Sequence, residues 1–157
     1  MDRLILLRHG KAQADAPSGQ DFDRVLTARG RSDAALVARK LADAGHTPDL
    51  VLVSPAARAA QTWEAAAPFF PDAQVEMAPA LYHIEPQDIL DLAEEQAAQT
   101  VMVVGHNPGL GELAAYLARQ VGAAGFQGFP TGAAAVIGFG ADPSFALYTP
   151  KALGGGA

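Results

Sequence analysis

Two arginines and two histidines in this sequence have the chemistry needed to bind and transfer a phosphoryl group. Arg8 and His9 directly follow an apolar run, Arg58 lies shortly after a second such run, and His106 lies just beyond a third. A guanidinium offers a planar fork of donors that suits phosphate oxygens, and a neutral imidazole can attack phosphorus and carry the phosphoryl group. These residue types therefore predict a site for a tetrahedral oxyanion.

The two imidazoles can have different tasks at such a site. The attacking ring must be neutral, which the ordinary histidine pKa of about 6.5 allows at neutral pH. The other ring, when protonated, can stabilise charge on the equatorial oxygens of the transition state. The chain has no Walker-type loop, no HExxH sequence and no carboxylate cluster with metal-ligand spacing. Since arginines can supply the positive charge that a metal would otherwise supply, we predict chemistry without a metal or another cofactor.

Three short apolar runs must position these residues. Leu4–Leu7, Asp49–Val53 and Thr100–Val104 are each only a few residues long, which favours buried strands over helices. Parallel strands of an α/β sheet deliver their last residues to one edge, where such folds bind ligands. Gly10, directly after His9, lets the chain turn there and leaves room for a ligand. We therefore expect the three strand ends to share one crevice.

Helices are predicted between the strands. A helix capped by Thr27 should end near Gly45, and Ser54-Pro55 should cap and start a second helix that ends near Ala67. The other predicted elements are helices at 87–98 and 110–120, an edge strand at 74–77, and a final hairpin of strands at 131–139 and 144–148. This alternation predicts an α/β fold with a mainly parallel sheet and helices on both faces. We expect one domain over residues 1–157, with a flexible tail from about residue 151.

The composition excludes several kinds of partner. The net charge of −6 argues against a nucleic-acid partner, and no apolar run reaches the length of a membrane span. The chain has no cysteine, which excludes a disulfide framework and a thiolate metal site, and no signal-peptide pattern opens it. We predict a cytoplasmic protein that binds neither nucleic acid nor membrane, with a monomer as the default state.

Basic residues are concentrated in the first third of the chain. Nine of the 11 Lys and Arg residues lie at or before Arg58, whereas nine acids and no base lie between Arg58 and Arg119. A cationic pocket must therefore come from the first third, and the later helices should carry a solvated acidic surface. Arg24 is a further candidate, which could either reach back toward Arg8 or lie on the surface.

Four motifs occur in an order that resembles the histidine phosphatase superfamily. They are Leu7-Arg8-His9-Gly10, Leu26-Thr27-Ala28-Arg29-Gly30, Ser54-Pro55 followed by Arg58-Ala59-Ala60-Gln61-Thr62, and Val104-Gly105-His106-Asn107. The resemblance spans residues 4 to about 139 and implies a three-layer α/β/α sandwich with the phosphoglycerate mutase-like fold. It also implies that His9 is the phosphorylated nucleophile. Arg8, Arg58 and His106 would complete the phosphate pocket, with Asn107 among the residues that bind substrate.

Within that superfamily the chain looks most like the SixA-type phosphohistidine phosphatases. The similarity lies in its short length and in Arg8-His9-Gly10-Lys11-Ala12, Gln61-Thr62-Trp63 and Gly105-His106-Asn107-Pro108. Enzymes of that type remove phosphate from histidine on signalling proteins, so the resemblance implies a phosphoprotein partner. Larger relatives insert segments that cap the site. This chain has little room for one, which implies an open groove.

A missing general acid supports the same subgroup and leaves three alternatives. Mutases and many phosphomonoesterases carry an acid after the second helix, where this chain has only Glu85 in an unusual setting. An imidazole leaving group can be protonated before the P–N bond breaks, so it needs that acid less than an alkoxide does. The alternatives are a small-molecule phosphomonoesterase with Glu85 as the acid, a phosphate- or phosphoprotein-binding module without turnover, and a metal site built from His9, His83 and His106.

Overall fold

A six-stranded sheet forms the centre of the protein in a computed structural model that describes residues 1–156. Its strands are β1 (Arg3–Arg8), β2 (Leu50–Val53), β3 (Gln74–Met77), β4 (Thr100–Gly105), β5 (Ala134–Gly138) and β6 (Ser144–Tyr148). They lie in the order β3-β2-β4-β1-β5-β6. The pairs among β3, β2, β4 and β1 are parallel, whereas β5 and β6 add antiparallel strands at one side. The predicted mainly parallel sheet is confirmed.

Within the described residues, four α-helices cover the two faces of this sheet. They are α1 (Ala28–Asp43), α2 (Ala57–Ala66), α3 (Pro86–Glu94) and α4 (Gly109–Gln120). Successive side chains of β1 point to opposite faces. Leu4 and Leu6 therefore pack with α3 and α4, and Ile5 and Leu7 pack with α1 and α2. These two buried layers confirm the α/β/α sandwich. No helix in residues 1–156 is long and apolar enough to cross a bilayer.

The helix after β2 begins later than the sequence predicts. Its first residue is Ala57, and Ala56 occupies the N-cap position. Ser54 and Pro55 are therefore wrong as the cap and the first helical residue. The physical reason is that the Ser54 hydroxyl is hydrogen-bonded to His106 at the edge of the sheet. The non-helical backbone therefore continues through residues 55 and 56, and α2 begins at Ala57.

One helix is shorter than predicted, and the end of the chain makes contacts with α1. Helix α3 ends at Glu94 rather than near residue 98. At the end of the chain, Lys151–Leu153 forms a 3-10 turn, and the Gly156 amide donates to Oδ1 of Asp33 at 3.0 Å. Asp33 is buried on α1, and a buried carboxylate needs such partners. Residues up to 156 therefore pack against α1, and Ala157 lies outside the described residues.

Two glycines allow α1 to approach the end of β1 very closely. A Cβ at Gly10 would lie 2.5 Å from the carbonyl oxygen of Gly30, and a Cβ at Gly30 would overlap the carbonyl of Lys11. The Gly30 amide also donates to the Thr27 hydroxyl at 3.0 Å, which caps α1 as predicted. Because backbone touches backbone here, neither glycine position has room for a side chain. The start of α1 thus fixes the loop that follows His9.

Candidate active site

The four predicted site residues come together at the carboxyl edge of three neighbouring strands. Strands β1, β4 and β2 are parallel neighbours. His9 follows β1, His106 follows β4, and their ring centres are 5.2 Å apart. Arg8 ends β1, and Arg58 lies in the first turn of α2, just beyond β2. The sheet order, rather than sequence proximity, therefore creates this cluster.

A backbone hydrogen bond fixes the tautomer of His9. Its Nδ1 lies 2.7 Å from the carbonyl oxygen of Gly10. Because a carbonyl oxygen only accepts, we assign the ring proton to Nδ1, which leaves the lone pair on Nε2. Burial, together with the charges of Arg58 and Arg8, lowers the pKa of His9 to about 4. The ring is therefore neutral at neutral pH, as a nucleophile must be.

Ser54 holds the second imidazole. Its Oγ lies 2.7 Å from Nε2 of His106, and the Ala56 amide donates to the same oxygen at 3.4 Å. We assign the hydroxyl proton to the bond with Nε2, because a ring proton on Nδ1 then faces the positively charged, anion-binding side of the site as a donor. Nδ1 is buried and has no hydrogen-bond partner among the described residues. It is available to donate to an oxyanion.

His106 is neutral at neutral pH. Burial, followed by the neighbouring His9 and Arg58, lowers the pKa of His106 to about 3. The protonated form considered for the second imidazole is therefore not the form of the protein alone, because burial penalises the charged ring. A phosphate dianion, when bound, would favour the protonated form again. The neutral ring still donates through Nδ1.

Arg8 and Arg58 bring positive charge to the same place. Arg8 donates from Nη1 to the carbonyl of Phe129 at 2.9 Å, and burial with the nearby Arg58 lowers the pKa of Arg8. The Nε atoms of both arginines are buried without hydrogen-bond partners in the described part of the chain. Buried donors normally have partners. Unpartnered guanidinium donors beside a neutral imidazole therefore suit an anion at this place.

A carboxylate that sequence reasoning missed binds Arg58. Oδ2 of Asp21 accepts from Nη2 of Arg58 at 3.0 Å and from the Tyr82 hydroxyl at 2.6 Å. Oδ1 accepts from Nε of Arg24 at 2.9 Å. The Tyr82 hydroxyl, with Arg24 and Arg58, holds the pKa of Asp21 well below its usual range, so this carboxylate is ionised and cannot act as an acid. Arg24 pairs with Asp21 and not with Arg8.

Two side chains of α2 tie this helix to the neighbouring motifs. Oε1 of Gln61 accepts from the Leu26 amide at 2.8 Å. The Thr62 hydroxyl accepts from the Gly10 amide at 2.9 Å and donates to the Arg58 carbonyl at 2.7 Å. These bonds connect the loop after β1 to the helix that carries Arg58. His9 and Arg58 are therefore fixed relative to each other.

Asn107 lies at the site, but its amide already has structural partners. Nδ2 donates to the Phe129 carbonyl at 2.9 Å, and Oδ1 accepts from the Gly111 amide at 3.0 Å. The Phe129 carbonyl also accepts from Arg8, so Asn107 positions the segment that orients Arg8. Direct binding of substrate by Asn107 stays a prediction.

A groove of about 750 Å³ extends from His106 along α3. Its lining includes residues 80–82 of the 3-10 turn Pro79–Tyr82, and it also includes His83 and Glu85, which are both exposed. Within residues 1–156, His9, His83 and His106 do not form a cluster that could hold a metal ion. The alternative of a three-histidine metal site is therefore wrong.

Comparison with known proteins assigns the family. A model of the histidine phosphatase superfamily (branch 1) matches residues 4–88, which is more than half of the chain. The chain belongs to this superfamily. The match includes Arg8, His9 and Arg58, whereas His106 lies beyond it and enters the site through the pairing of β4 with β1.

Solved histidine phosphatases share the fold over nearly the whole chain. SixA from Agrobacterium tumefaciens is 32% identical with a TM-score of 0.83, and the match covers 95% of this chain and 98% of that one. A protein histidine phosphatase SixA complexed with tungstate is 27% identical with a TM-score of 0.75, over 96% and 99% of the two chains. An uncharacterised chloroplastic protein of Arabidopsis thaliana is 36% identical over 73% of this chain, which spans 58% of that protein's length. These matches confirm the predicted histidine phosphatase fold and the likeness to SixA.

Sequence reasoning missed three contributors to this histidine phosphatase site, namely Ser54, Asp21 and Tyr82. The Ser-Pro pair at 54–55 is typical of a helix start, and this pattern does not indicate that Ser54 is hydrogen-bonded to His106. Its position at the end of a buried strand was the available signal, because all three strands end at the same edge. Asp21 and Tyr82 lie in short 3-10 turns of connecting segments, whose placement depends on tertiary contacts rather than on spacing.

Proposed function

We propose that this histidine phosphatase hydrolyses phosphohistidine on a signalling or phosphorelay protein, through a phosphorylated His9 and without a metal. The observation that carries the proposal is the state of His9. Its Nδ1 is bound to the Gly10 carbonyl, and its pKa of about 4 leaves Nε2 unprotonated at neutral pH. Buried N–H groups of Arg8, Arg58 and His106 that lack partners among the described residues supply donors for the phosphate.

The reaction has two steps. In the first, the substrate ring already carries a proton on its unphosphorylated nitrogen. Nε2 of His9 forms a bond to phosphorus while the P–N bond of the substrate breaks, and the substrate histidine leaves as a neutral imidazole. In the second, water forms the new O–P bond, the bond from phosphorus to His9 breaks, and inorganic phosphate leaves. The water proton passes to the released phosphate or to solvent. Arg8, Arg58 and His106 hold the phosphoryl oxygens through both steps.

The ionised carboxylate beside Arg58 favours an imidazole leaving group. Asp21 contacts Arg58 but is held ionised by Tyr82, Arg24 and Arg58, so it has no proton to give. An alkoxide leaving group would need such a proton, and general acid assistance contributes roughly 10²–10⁴-fold. A histidine leaving group needs less help because its ring can carry the proton beforehand.

Two further observations support the proposal, one for a protein substrate and one for a phosphate ligand. The groove beside His106 is about 750 Å³ and is lined by exposed side chains of the 82–95 segment, which a protein surface could reach. The SixA relative complexed with tungstate was solved with a tetrahedral oxyanion, the shape expected for a phosphate ligand. A cytoplasmic location, a monomeric state and a single domain stay predictions from the sequence.

The test is a paired turnover assay in the presence of a chelator. One substrate is a phosphohistidine-bearing protein and the other is a generic aryl phosphate. We expect a preference for the phosphoprotein, and an acid-labile phosphoenzyme that His9→Ala does not form although it folds. Arg58→Ala should lower kcat about 10²-fold, because its charge acts in the transition state. Near-native turnover by His9→Ala would refute the mechanism.

The same assay separates the alternatives. Glu85 lines the groove beside His106, which keeps a small-molecule phosphomonoesterase with Glu85 as the acid as the second candidate. A preference for the aryl phosphate together with a large fall in kcat for Glu85→Gln would establish that candidate. Phosphate binding without any phosphoenzyme or turnover would indicate a binding module instead.

A further inference from the structure

The groove beside the phosphate site carries negative charge that the protein does not neutralise. Glu85, Asp88, Asp91 and Glu95 all line it and are all exposed. None of them forms a salt bridge within residues 1–156, since the ion pairs there involve Asp21, Asp33 and Glu64. Exposed carboxylates on one wall of a concave surface create a negative potential that attracts cations.

The sequence explains why no internal cation reaches this groove. No Lys or Arg occurs between Arg58 and Arg119, and the whole groove wall lies in that interval. The only close polar partner among the described residues is the Gln87 amide, which donates to Asp91 at 2.9 Å and leaves its charge in place. No Lys or Arg lines the groove in the described part of the chain, so a cation that pairs with this wall comes from solvent or from a ligand.

A second observation connects the acidic wall to the reacting phosphate. His106 lines the same groove and is only 9% exposed. Its buried Nδ1 has no partner in the described part of the chain, and it is the atom assigned above as a donor to the phosphate. His106 therefore borders both the phosphate site and the groove, so a ligand whose phosphate lies beside this ring can extend along the acidic wall.

We propose that this groove binds lysine or arginine side chains that flank the phosphohistidine of the substrate protein. This inference rests on the proposed function and specifies its substrate class. The phosphate would lie among Arg8, Arg58 and the two histidines, and the adjacent basic side chains would lie against the acidic wall. Leu92 and Ile84 also line the groove, and they offer an apolar floor for the aliphatic stems of long basic side chains.

The test compares two phosphohistidine peptides that differ only at two flanking positions, which are lysine in one and glutamine in the other. Exposed ion pairs are weak individually, so we expect a preference for the lysine peptide of about fivefold in kcat/KM at low ionic strength. The preference should shrink toward unity at about 0.5 M salt, because exposed charges are screened.

A groove variant with Asp88→Asn, Asp91→Asn and Glu95→Gln should lose the preference. Its turnover of a small aryl phosphate, which does not reach α3, should stay at the native level. The matched control, Glu76→Gln with Glu94→Gln and Asp142→Asn, removes the same charge from exposed positions that do not line the groove. It should keep the preference.

The outcomes separate this inference from the proposed function. Equal turnover of both peptides, or a preference that survives in the groove variant, would overturn the inference and leave the phosphohistidine phosphatase activity in place. Turnover of neither peptide, with efficient turnover of a small alkyl phosphate that carries an ammonium group, would overturn both. That result would assign the acidic wall to a small cationic substrate.

Discussion

Lowering the pH should destabilise this protein at pH values well above those at which carboxylates become protonated. The reason is that two neutral histidines are buried at the candidate active site. The pKa of His9 is lowered to about 4 and that of His106 to about 3, in both cases chiefly by burial. An unfolded chain binds a proton on each ring near pH 6.5. Between pH 6.5 and the folded-state pKa values the unfolded state therefore binds more protons, and stability falls as the pH falls.

The magnitude follows from these pKa values. At pH 5 an unfolded histidine is almost fully protonated, whereas a ring with a folded-state pKa of about 4 or 3 is almost fully neutral. Each ring then costs about 2 kcal/mol relative to pH 7.5, at about 1.4 kcal/mol per pH unit through the window. His9 and His106 together should lower the free energy of unfolding by roughly 4 kcal/mol at pH 5.

Urea denaturation at pH 7.5, 6 and 5 would measure this loss, with the fluorescence of Trp63, which stacks on Phe70, as the probe. The control is the double variant His9→Asn/His106→Asn, whose new side chains do not titrate. In the double variant, the free energy of unfolding should depend less steeply on pH. A smaller dependence should remain because burial also lowers the pKa of His46. Equal slopes for the native protein and the double variant, or a native stability that does not fall between pH 7.5 and 5, would refute the reasoning.

Three other substitutions test single contacts. Ser54→Ala removes the hydrogen bond to Nε2 of His106. We expect roughly a tenfold fall in kcat and a free energy of unfolding that is about 1 kcal/mol lower in denaturation experiments. An unchanged kcat would show that catalysis does not need this hydrogen bond. Asp21→Asn removes a negative charge beside Arg58, so phosphate should bind about fivefold more tightly. Titration calorimetry would measure this affinity. Weaker binding would instead mean that the carboxylate orients the guanidinium of Arg58. Gly30→Ala inserts a methyl group into a backbone contact and should lower the free energy of unfolding by about 3 kcal/mol. A melting temperature equal to that of the native protein would contradict this prediction.

The strand ends were predictable because they depend on local patterns. Short apolar runs ending in Arg8-His9, Ser54 and Gly105-His106 predict buried strands, and parallel strands bring such ends to one edge. The structure places His9 and His106 with ring centres 5.2 Å apart, as this reasoning requires. The start of α2 was not predictable in the same way, because a long-range bond between Ser54 and His106 competes with local helix capping.

The sequence by itself determined the residue types at the site, the alternation of strands and helices, and the acidic character of the later helices. Those properties are local or compositional. Only the tertiary structure decided that Asp21 and Tyr82 reach Arg58 from separate segments, that Ser54 binds Nε2 of His106, and that both imidazoles are neutral. Such contacts and pKa values depend on burial and on neighbours distant in the chain, which no local pattern specifies.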